Sequence, residues 1–532
     1  MPTRFALPLP APMPMDPTAL TALLDGLKQQ SIESAVARLD GAFEQLGDAG
    51  LPAAQLVPLL ERLRHALPVE IARLAKGWYA DRPLPLAPAE RVMLVAMRGL
   101  FGKLSDLYWL CCRQFEREAP SAARDQSLAA SLQRCVHALV SRMIEDYRAR
   151  QVIEPAVWLA LHNMLDKSAA LGVERLPIAD ALNPNGVSAI NVTYGRAVLL
   201  ASAQAGAMTP RTLDATLALT GVLEPFIDCS WQAGDTAAES QVQATGRLRV
   251  LKAAGATHLL NNTRLAGALL ACSQKLAAGE ALASLDVLPV SRTEVSGLLA
   301  RLQRVWCGTG EIRGEPRART EETASVASGA YAIFRLASGA DFAIPPDFHV
   351  YATGSRPGEG GAARRSALAD SGEAAPWRIL DRSGEGLRAA RSPEGGRLTR
   401  GCLMGIRIEG TDPAGKRFSF ALGEVRWVQE DANPVAPTIS AGIKLLPGKV
   451  LTAVMRGRGG RDGSMFQEVV PVFMLEQAAA PKLVVPNGWW QPERIIDIWR
   501  NNAITRMRMG EVLIRGTDFE TGRFSIEKPA PR

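Results

Sequence analysis

The hydrophobic pattern of this chain changes its period once, near residue 306, and that change sets what it can fold into. From Asp16 to about Arg304 apolar residues recur at helical spacing, as on helices that bury one face. Beyond residue 306 short apolar runs alternate with glycine and proline at intervals typical of small barrels and sandwiches. A chain of 532 residues is too long for one core. The pattern predicts a multidomain α+β protein, with an all-α N-terminal bundle or superhelix followed by an antiparallel β-barrel and a β-rich C-terminal extension. The expected divisions are a disordered tail over 1–15, a helical domain over 16–305, a barrel over 306–455, and a β extension or second small barrel over 465–532.

Local signals support the helical half. Asp16 before Pro17 is an N-cap followed by proline at the first helical position, and Leu20, Leu23, Leu24 and Leu27 then share a face. Residues 55–67 repeat leucine at helical spacing, and 88–117 carry a wide apolar stripe from Val92, Leu94, Val95, Met97, Leu100, Leu104 and Leu107. Further helices are expected near 125–149, 154–169, 193–206, 210–225, 238–253, 263–276 and 292–305. Breaks fall at 83–88, at Asn183-Pro184-Asn185-Gly186, and at 231–235.

In the second half, Val326, Tyr331, Ile333 and Phe334 suggest a strand or a short helix, with a first strand over 321–336. Strand-like runs follow at 377–380, 404–408, 418–427, 439–446, 469–475, 482–485 and 511–515. Residues 353–376 have the composition of a disordered insertion, and 456–464 that of a glycine-arginine loop. Trp489-Trp490 reads as core or a domain contact, with a base-stacking platform as the alternative.

Charge is divided unevenly. Residues 301–532 hold 33 Lys+Arg against 26 Asp+Glu, which accounts for the whole net charge of +7. Of those 33 basic residues 28 are arginine, whose planar fork of donors suits phosphate oxygens and guanine edges. A solvated basic surface is the plainer reading. The seven cysteines are scattered without metal-ligand spacing, which fits reduced thiols in a cytoplasmic protein. The five histidines are isolated, so no metal site is expected. The first fifteen residues contain five prolines and no continuous apolar run, and no stretch has the length of a membrane span. No nucleophile elbow, phosphate-binding loop or dinucleotide fingerprint occurs. No catalytic residue, cofactor or membrane insertion is therefore expected.

One stretch carries a specific resemblance. Residues 377–387 read WRILDRSGEGL, and Asp381, Ser383 and Gly386 within it form a D-x-S-x-x-G pattern just after an apolar run. Residues 398–408 (LTRGCLMGIRI), 422–427 (LGEVRW) and 441–443 (AGI) follow in order, and Arg313 and Arg317 form R-x-x-x-R upstream. Over about 310–450 the chain resembles the PilZ-domain family of bacterial cyclic di-GMP receptors. The resemblance implies a PilZ-like β-barrel and a cyclic di-GMP site formed by Arg313, Arg317, Asp381, Ser383 and Gly386. Arginines on a loop can clamp phosphates and reach guanine O6 and N7, and an aspartate at a strand end can accept from guanine N1 and N2. Ser383 would fix the turn through local hydrogen bonds, and Gly386 would supply a backbone conformation closed to other residues. The same residues also fit an ordinary strand-ending turn and solvated loop charges.

The expected function is a receptor or adaptor that relays cyclic di-GMP level to a protein partner through the helical domain. A ligand-independent scaffold with a degenerate barrel is the first alternative. Nucleic-acid binding through the basic β half is the second and less expected one; it would show strongly salt-dependent affinity.

Overall fold

The protein is described by a computed structural model, covering residues 16–74, 82–232, 248–253, 256–280, 282, 290–308, 318–348, 373–409, 418–431, 433, 435–458, 467–476 and 480–527. It divides into two compact units, Met1–Ala80 with Leu86–Ile312, and Asp81–Pro85 with Arg313–Arg532.

The first unit is helical. Its helices are α1 (Pro17–Leu27), α2 (Ile32–Asp48), α3 (Ala53–Leu74), α4 (Pro88–Phe115), α5 (Ala122–Arg148), α6 (Pro155–Ala170), α7 (Ile190–Ser202), α8 (Pro210–Leu223), α9 (Thr263–Ala277) and α10 (Arg292–Cys307). Their starts follow from capping chemistry. The Asp16 carboxylate accepts from the Thr18 and Ala19 amides at 2.8 and 2.7 Å. Ser291 and Glu294 form a reciprocal capping box at α10, with Glu294 accepting from the Ser291 amide at 2.7 Å.

Helix α4 departs from the expected stripe. Leu94, Met97, Phe101, Leu104 and Tyr108 are buried, whereas Val92 and Val95 are exposed. At 100° per residue Val92 lies nearly opposite Leu94, so the two cannot share a face.

Two small sheets interrupt the helices. Strands β1 (Ile178–Ala179) and β2 (Val187–Ser188) form a hairpin. Its turn contains the Asn183–Gly186 break, with Gly186 at φ +72°. Strands β3 (Asp228–Gln232), β4 (Leu248–Ala253) and β5 (Ala256–Asn261) form a sheet with β5 in the centre. The helix expected over 238–253 is corrected over 248–253, which pair antiparallel with β5 from Leu248 opposite Asn261 to Ala253 opposite Ala256; 238–247 lie outside the described residues. A short apolar run is compatible with either period, and pairing with a neighbouring strand decided it.

Below this surface a buried ionic network joins α3, α4 and α5 to the β1–β2 hairpin. Asp180 accepts from Arg64 at 2.5 Å and lies 3.1 Å from Arg134, while Glu61 accepts from Arg134 at 2.9 Å and from the Tyr108 hydroxyl at 2.7 Å. Burial by itself would raise the Asp180 pKa, but the hydrogen bond from Arg64 and the two nearby guanidiniums leave it below the usual value.

The second unit consists of two six-stranded antiparallel barrels. In the first, β6 (Ala318–Arg319), β7 (Thr323–Ser328), β8 (Ala375–Arg382), β9 (Gly386–Arg391), β10 (Leu403–Glu409), β11 (Phe418–Asp431) and β12 (Thr438–Leu446) run in the order β6-β8-β7-β10-β11-β12-β9. Pairing of β8 with β9 closes the ring, and β6 adds to β8 outside it. The first strand expected over 321–336 ends at Ser328. Gly329 at φ +81° then turns the chain into helix α11 (Ala330–Ser338), so Ile333 and Phe334 are helical. Ile333 is fully buried with Leu403, Leu422, Phe473, Leu475 and Phe519, a core that draws on both barrels.

The second barrel is closed by β13 (Lys449–Arg458), β14 (Gln467–Glu476), β15 (Lys482–Pro486), β16 (Ile495–Arg500), β17 (Ala503–Arg515) and β18 (Phe519–Ile526), in the order β13-β14-β15-β18-β17-β16 with β13 paired to β16. Trp489 and Trp490 are buried in its core, as expected of them. Each lies over a glycine: a Cβ on Gly457 would come 2.8 Å from the Trp489 ring, and one on Gly522 would come 2.2 Å from that of Trp490. Buried Glu520 ties this corner by accepting from the Gly488 and Trp490 amides at 3.0 and 2.8 Å and from Arg515 at 2.8 Å.

Candidate functional site

Strands β8 and β9 pair antiparallel and are joined by a tight connection that contains Ser383. The Ser383 amide donates to the Gly386 carbonyl at 2.8 Å, and its hydroxyl reaches the same oxygen at 3.4 Å. Ser383 therefore closes the turn by local bonds, as the residue type suggests.

Gly386 is needed for a different reason from the one expected. It lies outside the positive-φ region, so conformational freedom is not what it supplies. Strand β12 passes so close that a Cβ on Gly386 would come 2.6 Å from the Ile443 carbonyl oxygen. Gly386 pairs with Lys444 here, and the Leu445 amide donates to the Glu385 carbonyl at 2.9 Å. The glycine permits a close backbone approach that locks the turn against β12.

Asp381 stands at the end of β8, just after a bulge that separates it from Ile379 in the β9 register. Its cross-strand partner is Arg388, whose Nε donates to Asp381 Oδ2 at 2.9 Å. The carboxylate is largely covered while the guanidinium is about half exposed. Arg382, the next residue, pairs with Glu322 at 3.0 Å.

Arg313 and Arg317 lie outside the described residues, as do Arg364 and Arg365 of the insertion. What is described is the strand that Arg317 leads into. Ala318 pairs with Arg382 and Arg319 with Asp381, so the chain enters the sheet one residue after Arg317, opposite the D-x-S-x-x-G turn. Arg319 is exposed and stands in register with Asp381.

Sequence reasoning missed Arg319 and Arg388 as neighbours of Asp381. Arg388 is the one exposed residue of β9, flanked by buried Leu387 and Ala389, and the β8 bulge sets it opposite Asp381. No helix among the described residues is long and apolar enough to cross a membrane.

Comparison with known proteins adds one informative match. No curated protein matches the chain. Among solved structures, an insecticidal delta-endotoxin, Cry8Ea1 from Bacillus thuringiensis, aligns at 10% identity and a TM-score of 0.17, covering 96% of this chain and 68% of that one. That likeness carries no argument. Residues 18–233, from α1 through β3, match the family model described as "Cyclic-di-GMP receptor FimW, N-terminal domain".

Proposed function

We propose that this chain is a cyclic di-GMP receptor that binds the dinucleotide on its first barrel and passes the signal to a protein partner through its helical unit. The observation that carries the reading is the match of residues 18–233 to the N-terminal domain of a cyclic di-GMP receptor. It is independent of the D-x-S-x-x-G pattern, which lies in the other half of the chain. Two separate stretches thus point to the same ligand.

The barrel geometry supports a PilZ-like site. Asp381, held by Arg388, offers a carboxylate edge to guanine N1 and N2, and Ser383 and Gly386 hold the turn that carries it. Arg313 and Arg317 precede β6 in sequence, and β6 pairs with β8 at Asp381 and Arg382. Their guanidiniums would clamp the phosphates and the guanine O6 and N7 edge. A relay requires that the ligand bind one state of the protein more tightly than another. The role is binding and not catalysis.

Calorimetric titration of the full chain with cyclic di-GMP, against GTP and cyclic di-AMP controls, tests the reading. Saturable, guanine-selective binding that disappears in Arg317→Ala and in Asp381→Ala is expected. Absence of heat at several temperatures and salt concentrations would instead indicate a ligand-independent scaffold.

A further inference from the structure

The connection from α3 to α4 leaves the helical unit and returns to it. Asp81–Pro85 belong to the second unit, although the helices on either side belong to the first. Segments that pass between units ordinarily carry few contacts. This one is pinned. Leu84 forms an antiparallel bridge with Leu398: its amide donates to the Leu398 carbonyl at 2.8 Å, and its carbonyl accepts from the Leu398 amide at 2.6 Å. Arg397 adds two bonds, donating from Nε to the Pro85 carbonyl at 3.2 Å and from a terminal nitrogen to the Pro83 carbonyl at 3.0 Å. Leu84 and Leu398 are both buried.

The sequence suits this segment to docking. Pro83 and Pro85 fix φ and have no N–H, so Leu84 carries the one amide of the three, and it goes to Leu398. A segment stiffened in this way loses little conformational entropy when it docks.

The other side of the bridge is organised from within the first barrel. Leu398 lies in the connection from β9 to β10. Arg391, buried at the end of β9, sits over the Trp377 ring at 5.3 Å from the centroid and donates to the Ser392 carbonyl at 2.7 Å and to the Gly396 carbonyl. Its fork therefore holds the first part of the loop that presents Arg397 and Leu398. Beyond the bridge, the Gly401 amide donates to the Val425 carbonyl of β11 at 2.7 Å. Arg388, which bonds Asp381, precedes Arg391 on the same strand. In the other direction, α4 starts at Pro88, shortly after Leu84, and its first turn is fixed by the Ala87 amide donating to Glu90 at 2.7 Å.

We propose that the Leu84–Leu398 bridge is a clamp through which the state of the first barrel is imposed on the start of α4. Its use as a signal relay rests on the receptor reading above; the mechanical coupling does not.

Hydrogen–deuterium exchange of the full chain tests the clamp in wild type, Arg397→Ala, Gly386→Ala and the double variant. Arg397 is exposed, so its substitution removes two bonds to the segment without opening a core. The Leu84 amide is expected to be protected in wild type and to exchange about tenfold faster in Arg397→Ala. Gly386→Ala, which strains the first barrel, is expected to speed exchange in the first two turns of α4. Arg397→Ala should remove that effect on α4 while leaving the effect on the barrel. Leu398→Pro, which deletes the amide that donates to Leu84, should do the same. An equal response of α4 with and without the bridge overturns the proposal, as does a Leu84 amide that exchanges freely in wild type. With cyclic di-GMP, wild type is expected to show slowed exchange at Leu84 and at the start of α4. Arg397→Ala should bind with unchanged affinity by calorimetry and lack the change in α4. Absence of binding in wild type refutes the receptor reading and leaves the Gly386→Ala comparison to decide the clamp, whereas binding that leaves α4 unchanged refutes the relay.

Discussion

Asp381 and Arg388 face each other across the β8–β9 pair, joined by a hydrogen bond of 2.9 Å from the guanidinium Nε to the carboxylate. The bond fixes the plane of a carboxylate that is largely covered. As a half-exposed ion pair it contributes about 1 kcal/mol or less to stability. Its larger effect is on orientation. Arg388→Ala is expected to leave the melting temperature nearly unchanged while weakening cyclic di-GMP binding about five- to tenfold, or roughly 1 kcal/mol. Asp381→Ala should abolish binding. Calorimetry beside thermal unfolding checks both, and equal affinity in wild type and Arg388→Ala would remove the positioning role.

Gly386→Ala tests the close approach of β9 to β12. A methyl group 2.6 Å from the Ile443 carbonyl oxygen cannot be accommodated without parting the strands. The expected cost is about 1–3 kcal/mol, as for other overpacked sites. A lower urea midpoint with an unchanged slope is the signature, and wild-type stability in this variant would contradict the contact.

Asp518 makes the second unit sensitive to pH. It accepts from the Leu403 amide at 2.8 Å, and burial pushes its pKa up to about 6, with the backbone hydrogen bonds opposing the rise. The unfolded value is near 3.9, so between those values the folded state holds more protons than the unfolded one. The sign follows: stability falls as pH rises through about 6, and the loss is complete above it. Asp518→Asn keeps an acceptor for Leu403 and removes the titration. Its stability relative to wild type is expected to rise between pH 5 and pH 7.5, by no more than about 3 kcal/mol. Parallel urea melts at the two pH values measure the difference, and a constant offset would refute it.

Asp180 is the shared acceptor of Arg64 and Arg134. Asp180→Ala leaves two guanidiniums in a buried site with one acceptor fewer, and removing one partner from a buried pair costs about 3–5 kcal/mol. The helical unit is expected to unfold at markedly lower denaturant, as followed by far-ultraviolet circular dichroism. An unshifted transition would mean that the network is solvated in solution.

Much of the helical half was legible because an amphipathic helix repeats its signal over several turns, and Asp16 and Pro17 mark a helix start with chemistry that acts within three residues. Seven strand-like runs also lie within observed strands, since alternation and glycine punctuation are local properties. Where the signal was short it failed. Residues 248–253 form a strand because β5 pairs with them, and Val92 and Val95 face solvent although their residue type suggests burial.

The candidate site divides in the same way. The residue types and order of Asp381, Ser383 and Gly386 could be read directly, as could the single change of period near residue 306, because each depends only on neighbours along the chain. Tertiary structure alone decided that Gly386 is needed to let β12 approach and that Arg388 stands opposite Asp381 and bonds its carboxylate. Those relationships depend on strand register and on a bulge at Leu380, where a shift of one residue exchanges the two faces of a strand. Register is set by pairing between segments distant in sequence, so no local pattern contains it.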